Sequence, residues 1–127
     1  MATNTKRLKT KLWKLVSEYV RRRDADSNGY VSCYTCDTVK HWTEGDAGHG
    51  IAGRKNMVLF DLEILRFQCK NCNRNQGEQY IFGKKLNEEN GEGWFESKLI
   101  EARKPKKIYD SELEEMIEAM KTMLEEL

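Results

Sequence analysis

Long hydrophobic runs are missing from this sequence. Nowhere do its 127 residues approach the roughly 18 consecutive apolar residues that a membrane span requires. The opening stretch MATNTKRLKTK is polar and basic and lacks the apolar segment of a secretory signal, so the expected compartment is a reducing cytoplasm. Net charge is also lacking. Lys and Arg number 22 against 21 Asp and Glu, and the resulting +1 excludes neither acidic nor basic partners. Pro105 is the single proline, and His41 and His49 are the two histidines. There is no internal repeat and no low-complexity segment, and the length suits one domain (1–127) with a modest core.

What is present is unevenly placed. Residues 1–23 hold eight basic side chains and one acidic one, Glu18, whereas residues 110–127 hold seven acidic side chains and one lysine, Lys121. A basic arm and an acidic tail hide inside the neutral average, and each would equally suit a solvated helix face. Leu8, Leu12, Leu15, Val16 and Tyr19 recur at three- and four-residue steps, which predicts a basic N-terminal helix over 7–23. The turn formers of DADSNG, residues 24–29, end it.

Residues 30–42 then predict a short hairpin or zinc knuckle, and the glycine-rich residues 43–56 read as loop. MVLFDLEILRFQC, residues 57–69, suits a strand or a short helix, and periodicity cannot choose over so short a run. Residues 80–86 and 95–103 have helical patterns, with Tyr80 and Phe82 expected to pack the first. A last helix is expected from Ser111, which has capping-box spacing to Glu114. Its stripe of Leu113, Met116, Ile117, Met120, Leu124 and Leu127 suits either a homodimer seam or cover for the chain's own core.

The strongest signal is VSCYTC followed by QCKNC. Cys33 and Cys36 form one C-x-x-C and Cys69 and Cys72 another, with 32 residues between the pairs. Two thiolates on a tight turn supply two corners of a zinc tetrahedron, so two such turns supply four. Closing the site adds folding energy to a small chain. In a reducing compartment this metal reading is favoured over disulfides. Four cysteines also saturate the ion, so the zinc is expected to be structural.

Catalysis would therefore need a second metal or none. Asp46, His49 and Asn73 lie close in sequence to the cysteines. A carboxylate and an amide oxygen are hard donors suited to Mg2+ or Mn2+. A neutral histidine beside them could take a proton from water attacking a phosphodiester. Zinc-ribbon binding modules carry similar polar residues with no catalytic purpose, and both readings stay open on chemistry alone.

The order C-x-x-C, D-A-G-H, F-D, QC-x-x-CNR and GEQY, together with KLWKLVSEYVRRRDADSNGYVSCYTC and HWTEGDAGH, resembles the phage NinG (Rap) recombination nuclease family over roughly residues 8–100. The resemblance implies an α+β fold: a small treble-clef, HNH-like ββα-metal zinc core over 30–86, flanked by the N-terminal helix and a C-terminal helical region over 94–127. It implies a divalent-metal-dependent endonuclease acting on branched recombination DNA such as Holliday junctions. In that reading His49 is the general base, and Asp46 and Asn73 hold Mg2+ or Mn2+. It also implies a phage-encoded protein working in the bacterial host cytoplasm.

Two departures are visible. Gln76 stands where junction-resolving enzymes of this type have a catalytic glutamate, and Ile64 where related chains usually carry Asn. Arg54, Lys55, Arg66 and Arg74 are candidates for contact with nucleic-acid phosphates. His41 is expected to pack or hydrogen-bond rather than ligate. The alternatives to an enzyme are a non-catalytic zinc nucleic-acid-binding module and a phage protein-interaction module using the acidic helix.

Overall fold

The computed structural model describes residues 3–53 and 55–127, so Arg54 lies outside the described residues. The elements are α1 (Asn4–Arg23), β1 (Tyr30–Ser32), β2 (Val39–His41), β3 (Gly45–His49), α2 (Asn56–Leu59), β4 (Leu65–Cys69), α3 (Lys70–Arg74), α4 (Gln79–Asn90), α5 (Trp94–Ala102) and α6 (Asp110–Glu125). This is an α+β architecture, with N- and C-terminal helices flanking a small β-region.

α1 starts three residues before the expected boundary because the Thr3 hydroxyl accepts the Lys6 N–H at 3.1 Å and caps the first turn. Arg21, Arg22 and Arg23 in its last turn complement the negative end of the helix dipole. Its buried stripe of Leu12, Val16 and Val20 meets Leu113, Ile117 and Met120 of α6 in one apolar cluster with Ala47, Leu59 and Leu65. Fully burying Leu12 or Leu113 contributes on the order of 2 kcal/mol. The α6 stripe read as a possible dimer seam therefore packs on α1 of the same chain. α6 begins at Asp110 rather than Ser111, and Glu112, not Glu114, accepts the Tyr109 N–H at 3.3 Å. The Asp110 carboxylate also accepts from Asn4 Nδ2 at 2.8 Å and Thr5 Oγ1 at 2.6 Å, which ties the starts of the two helices together.

β1 and β2 pair antiparallel, with Tyr30 opposite His41. β3 and β4 do the same, with Gly45 opposite Cys69 and His49 opposite Leu65. The expected loop over 43–56 thus contains a strand. Its glycines are explained by what crosses them: a Cβ on Gly45 would run into the Phe67 ring, and one on Gly48 into the Gln68 side chain. Glycine here admits close cross-strand packing. The ambiguous 57–69 run is both things in turn, a short helix and then a strand. Between them is a 3-10 turn, Leu62–Ile64, opened by the Asp61 carboxylate accepting the Glu63 N–H at 3.0 Å.

A second apolar cluster joins Ile51, Val58 and Ile64 to Phe82 and Leu86 of α4. Phe82 is fully buried as expected, but Tyr80 is 83% exposed and does not pack this helix. Among the described residues no helix is long and apolar enough to cross a membrane.

Candidate metal centre and nucleic-acid interface

Cys33 and Cys36 sit on the turn after β1, and Cys69 and Cys72 on the step from β4 into α3. The first turn is closed by Cys33 N–H donating to Thr38 O at 2.8 Å and Asp37 N–H to Cys33 O at 2.9 Å, with Asp37 in the left-handed region at φ 64°. The second is closed by Cys72 N–H donating to Cys69 Sγ at 3.5 Å. All four Sγ atoms lie within 4.8 Å of one another, and Cys36 and Cys69 are 3.7 Å apart. Thiolates at the usual Zn–S length of about 2.3 Å on a tetrahedron stand about 3.8 Å apart, so the donor set fits zinc. None of the four forms a disulfide.

Burial pushes the Cys72 and Cys69 thiols up. Burial acts the same way on Cys33, but hydrogen bonds involving Cys69 and Thr35 overcome it and bring that thiol well down. A bound zinc would draw the remaining protons off the cluster.

Asp46 and His49 lie on β3 and Asn73 on α3, so the fold does bring these elements together. Asp46 Oδ2 accepts from Asn73 Nδ2 at 3.1 Å, and Oδ1 pairs with Lys70 Nζ at 3.1 Å. The Lys70 ammonium offsets the Asp46 charge, and like charge opposes a second cation beside it. His49 stacks on Trp13 of α1, with centroids 5.0 Å apart and planes at 16°. Its Nε2 lies 3.0 Å from Leu59 O. That carbonyl only accepts, so Nε2 carries a proton and donates it. His49, Asn73 and Gln76 line a cleft of about 530 Å3, and Asp46 does not. Ile64 is fully buried in the second core, so the position usually held by Asn packs rather than orients His49.

A family model described as "Bacteriophage Lambda NinG protein" matches residues 2–127. The chain belongs to the NinG family. No curated protein and no solved structure matches it.

Family membership leaves the chemistry to the site, and the site of this NinG-family chain corrects one expectation. Metal-dependent endonuclease activity on Holliday junctions, with His49 as base and Asp46 and Asn73 holding Mg2+ or Mn2+, is overturned by the metal centre. Among the described residues, Cys33, Cys36, Cys69 and Cys72 are the one group of three or more His, Cys, Asp or Glu side chains placed to hold a metal. No histidine or carboxylate joins them. Four thiolates would complete a zinc tetrahedron and leave no position for water or a phosphate oxygen. The zinc centre is structural, and nothing among the described residues supports a separate Mg2+ or Mn2+ site.

The candidate phosphate contacts divide. Arg66 is held internally: Nη1 donates to Leu65 O at 2.8 Å, Nη2 meets Glu89 at 3.0 Å, and the guanidinium lies over Tyr34. Lys55 and Arg74 are exposed. His41 packs edge-on to Tyr30, and its Nδ1 is 2.8 Å from Thr43 Oγ1. Sequence reasoning missed the role of Asn56. Its Oδ1 accepts from Lys9 Nζ at 2.8 Å and its Nδ2 donates to Lys106 O at 2.9 Å. This brings the basic arm beside residues 103–107. The result is a groove of about 450 Å3 lined by Lys55, Met57, Arg103, Lys104 and Lys106. The asparagine carried no sequence signal, because its partners lie 47 and 50 residues away.

Proposed function

We propose that this chain is a non-catalytic, zinc-stabilised module that binds DNA through the phosphate backbone. The observation that carries the reading is the groove in which Lys55, Arg103, Lys104 and Lys106 converge, with Lys9 joined through Asn56. Among the described residues no carboxylate lines it. Cations around a shallow groove hold phosphates and release counterions, which gives affinity without base reading. The zinc core over 30–86 would hold the helices over 7–23 and 94–127 as one unit, so that the cations stay on one side.

Binding of a DNA duplex measured across salt concentrations tests this. About five phosphate contacts predict a log–log slope of roughly −4.5. Lys104→Gln with Lys106→Gln should reduce that slope by about 2. DNA should stay intact in Mg2+ and in Mn2+. Affinity that does not change with salt, or is untouched by the double substitution, would remove the groove from the account.

A further inference from the structure

The other end of α1 carries a different kind of surface. We infer that Trp42 and Arg22 form a stacking site for an unpaired DNA base; this rests on the DNA-binding reading and goes beyond it in naming which part of the DNA is held. Trp42 follows β2, and its backbone N–H donates to Gly29 O at 2.9 Å. The Arg21 and Arg22 guanidinium carbons lie 5.2 and 5.6 Å from its ring centroid. The indole forms one wall of an open cavity of about 440 Å3, whose other walls include Arg22, Arg23, Leu127 and Asp26; the Asp26 carboxylate is turned to the backbone, accepting the Asn28 and Tyr30 N–H groups at 2.9 Å. Gly29, at φ 86°, lets the chain turn against the His41 ring, which a Cβ there would strike.

An aromatic wall beside guanidinium groups suits a nucleotide: the base lies on the ring and the cation meets the adjoining phosphate. In a duplex both faces of each base are covered by neighbours, so a wall of this kind can receive only a base that has left the stack. The approach along α1 is basic. Arg7, Lys11 and Lys14 are exposed at i, i+4 and i+7, and Glu18, the next position of that row, stands between them and Arg22. At 1.5 Å per residue, Arg7 to Arg22 spans about 22 Å. Arg22 is also paired with Glu18 at 2.8 Å, with both side chains partly exposed. Such a pair is weak and can yield to a phosphate.

The indole itself reports occupancy. The zinc-loaded full chain should show quenched tryptophan fluorescence with oligothymidylate long enough to span α1, and little change with a blunt duplex. Trp42→Leu should abolish most of the quenching and weaken oligothymidylate binding roughly tenfold, with duplex affinity unchanged. Trp42→Phe, which keeps an aromatic face, should restore affinity to within about threefold. Zinc content and far-ultraviolet circular dichroism establish that each variant is folded. If Trp42→Leu fails to fold, Trp42→Phe, Arg22→Gln and the wild-type quenching decide the matter.

Saturating oligothymidylate without a fluorescence response overturns the site, as does a folded Trp42→Leu that binds like wild type. If the duplex still binds in a salt-dependent way, only this inference falls. If neither DNA binds, the DNA-binding reading falls with it.

Discussion

Two polar clusters share the β3–β4 hairpin and the helix that follows it, and they have opposite fates. In one, four thiols from two sequence-distant turns converge within 4.8 Å. In the other, Asp46 and Asn73 bond to each other near the cysteine end, while His49, opposite Leu65 at the far end, is engaged elsewhere. Asp46 has Lys70 and Asn73, and His49 has Trp13 and Leu59. Convergence on a single point requires something to converge on. Zinc supplies that for sulfur, while the hard donors here have been taken up by the packing of α1 and α3.

The comparison is broken most severely from the cysteine side. Cys69→Ser should abolish stoichiometric zinc binding and unfold the knuckle. The loss should be a large part of the roughly 10 kcal/mol or more that structural zinc contributes in small domains; metal analysis and a thermal melt check it. Leu113→Ala removes a fully buried side chain from the α1–α6 cluster and should cost about 3 kcal/mol, read by chemical denaturation, with zinc retained. His49→Ala removes the bond to Leu59 O and the stack on Trp13, which together predict a loss of about 1–2 kcal/mol and no change in zinc content. A loss of bound metal in that variant would tie the two clusters together. Asp46→Asn breaks an ion pair between partly exposed groups and should shift stability by less than about 1 kcal/mol.

The smallest effect concerns pH. Hydrogen bonds from Thr5 and Asn4 hold the Asp110 carboxyl below its ordinary value of 3.8. A depressed carboxyl contributes stability above its unfolded value and loses it as pH falls through the folded value. The melting-temperature difference between wild type and Asp110→Asn should therefore be present at neutral pH and vanish in acid below 3.8. A difference that grows on acidification would contradict it.

The legible parts of the sequence were those with a local cause. The cysteine pairs announced the zinc centre because a tight turn sets their geometry. The stripes of α1 and α6 announced two helices because burial imposes their period. β3 was hidden because Gly45 and Gly48 look like loop residues until Phe67 and Gln68 are seen lying across them. The chemistry of Asp46 and His49 was misread for a related reason. Their order along the chain matches a catalytic pattern, but their engagement depends on Trp13 and Lys70, one 36 residues before His49 and the other 24 after Asp46. Arg66 likewise read as a surface cation, since nothing near it in sequence reveals Glu89 or the Tyr34 ring.

The bonds that join Asp110 to Asn4 and Thr5 span 106 and 105 residues, and they set the order in which the protein can be completed at the ribosome. At 5–20 residues per second, α1 waits on the order of 5–20 s for α6 to be made. During that interval Leu12, Val16 and Val20 have only part of their cover. The zinc knuckle, whose last ligand is Cys72, is translated well before α6 and can close first. The nascent chain would then pass through a zinc-bound state in which the basic helix is already displayed while its apolar side is still open, a surface suited to a chaperone.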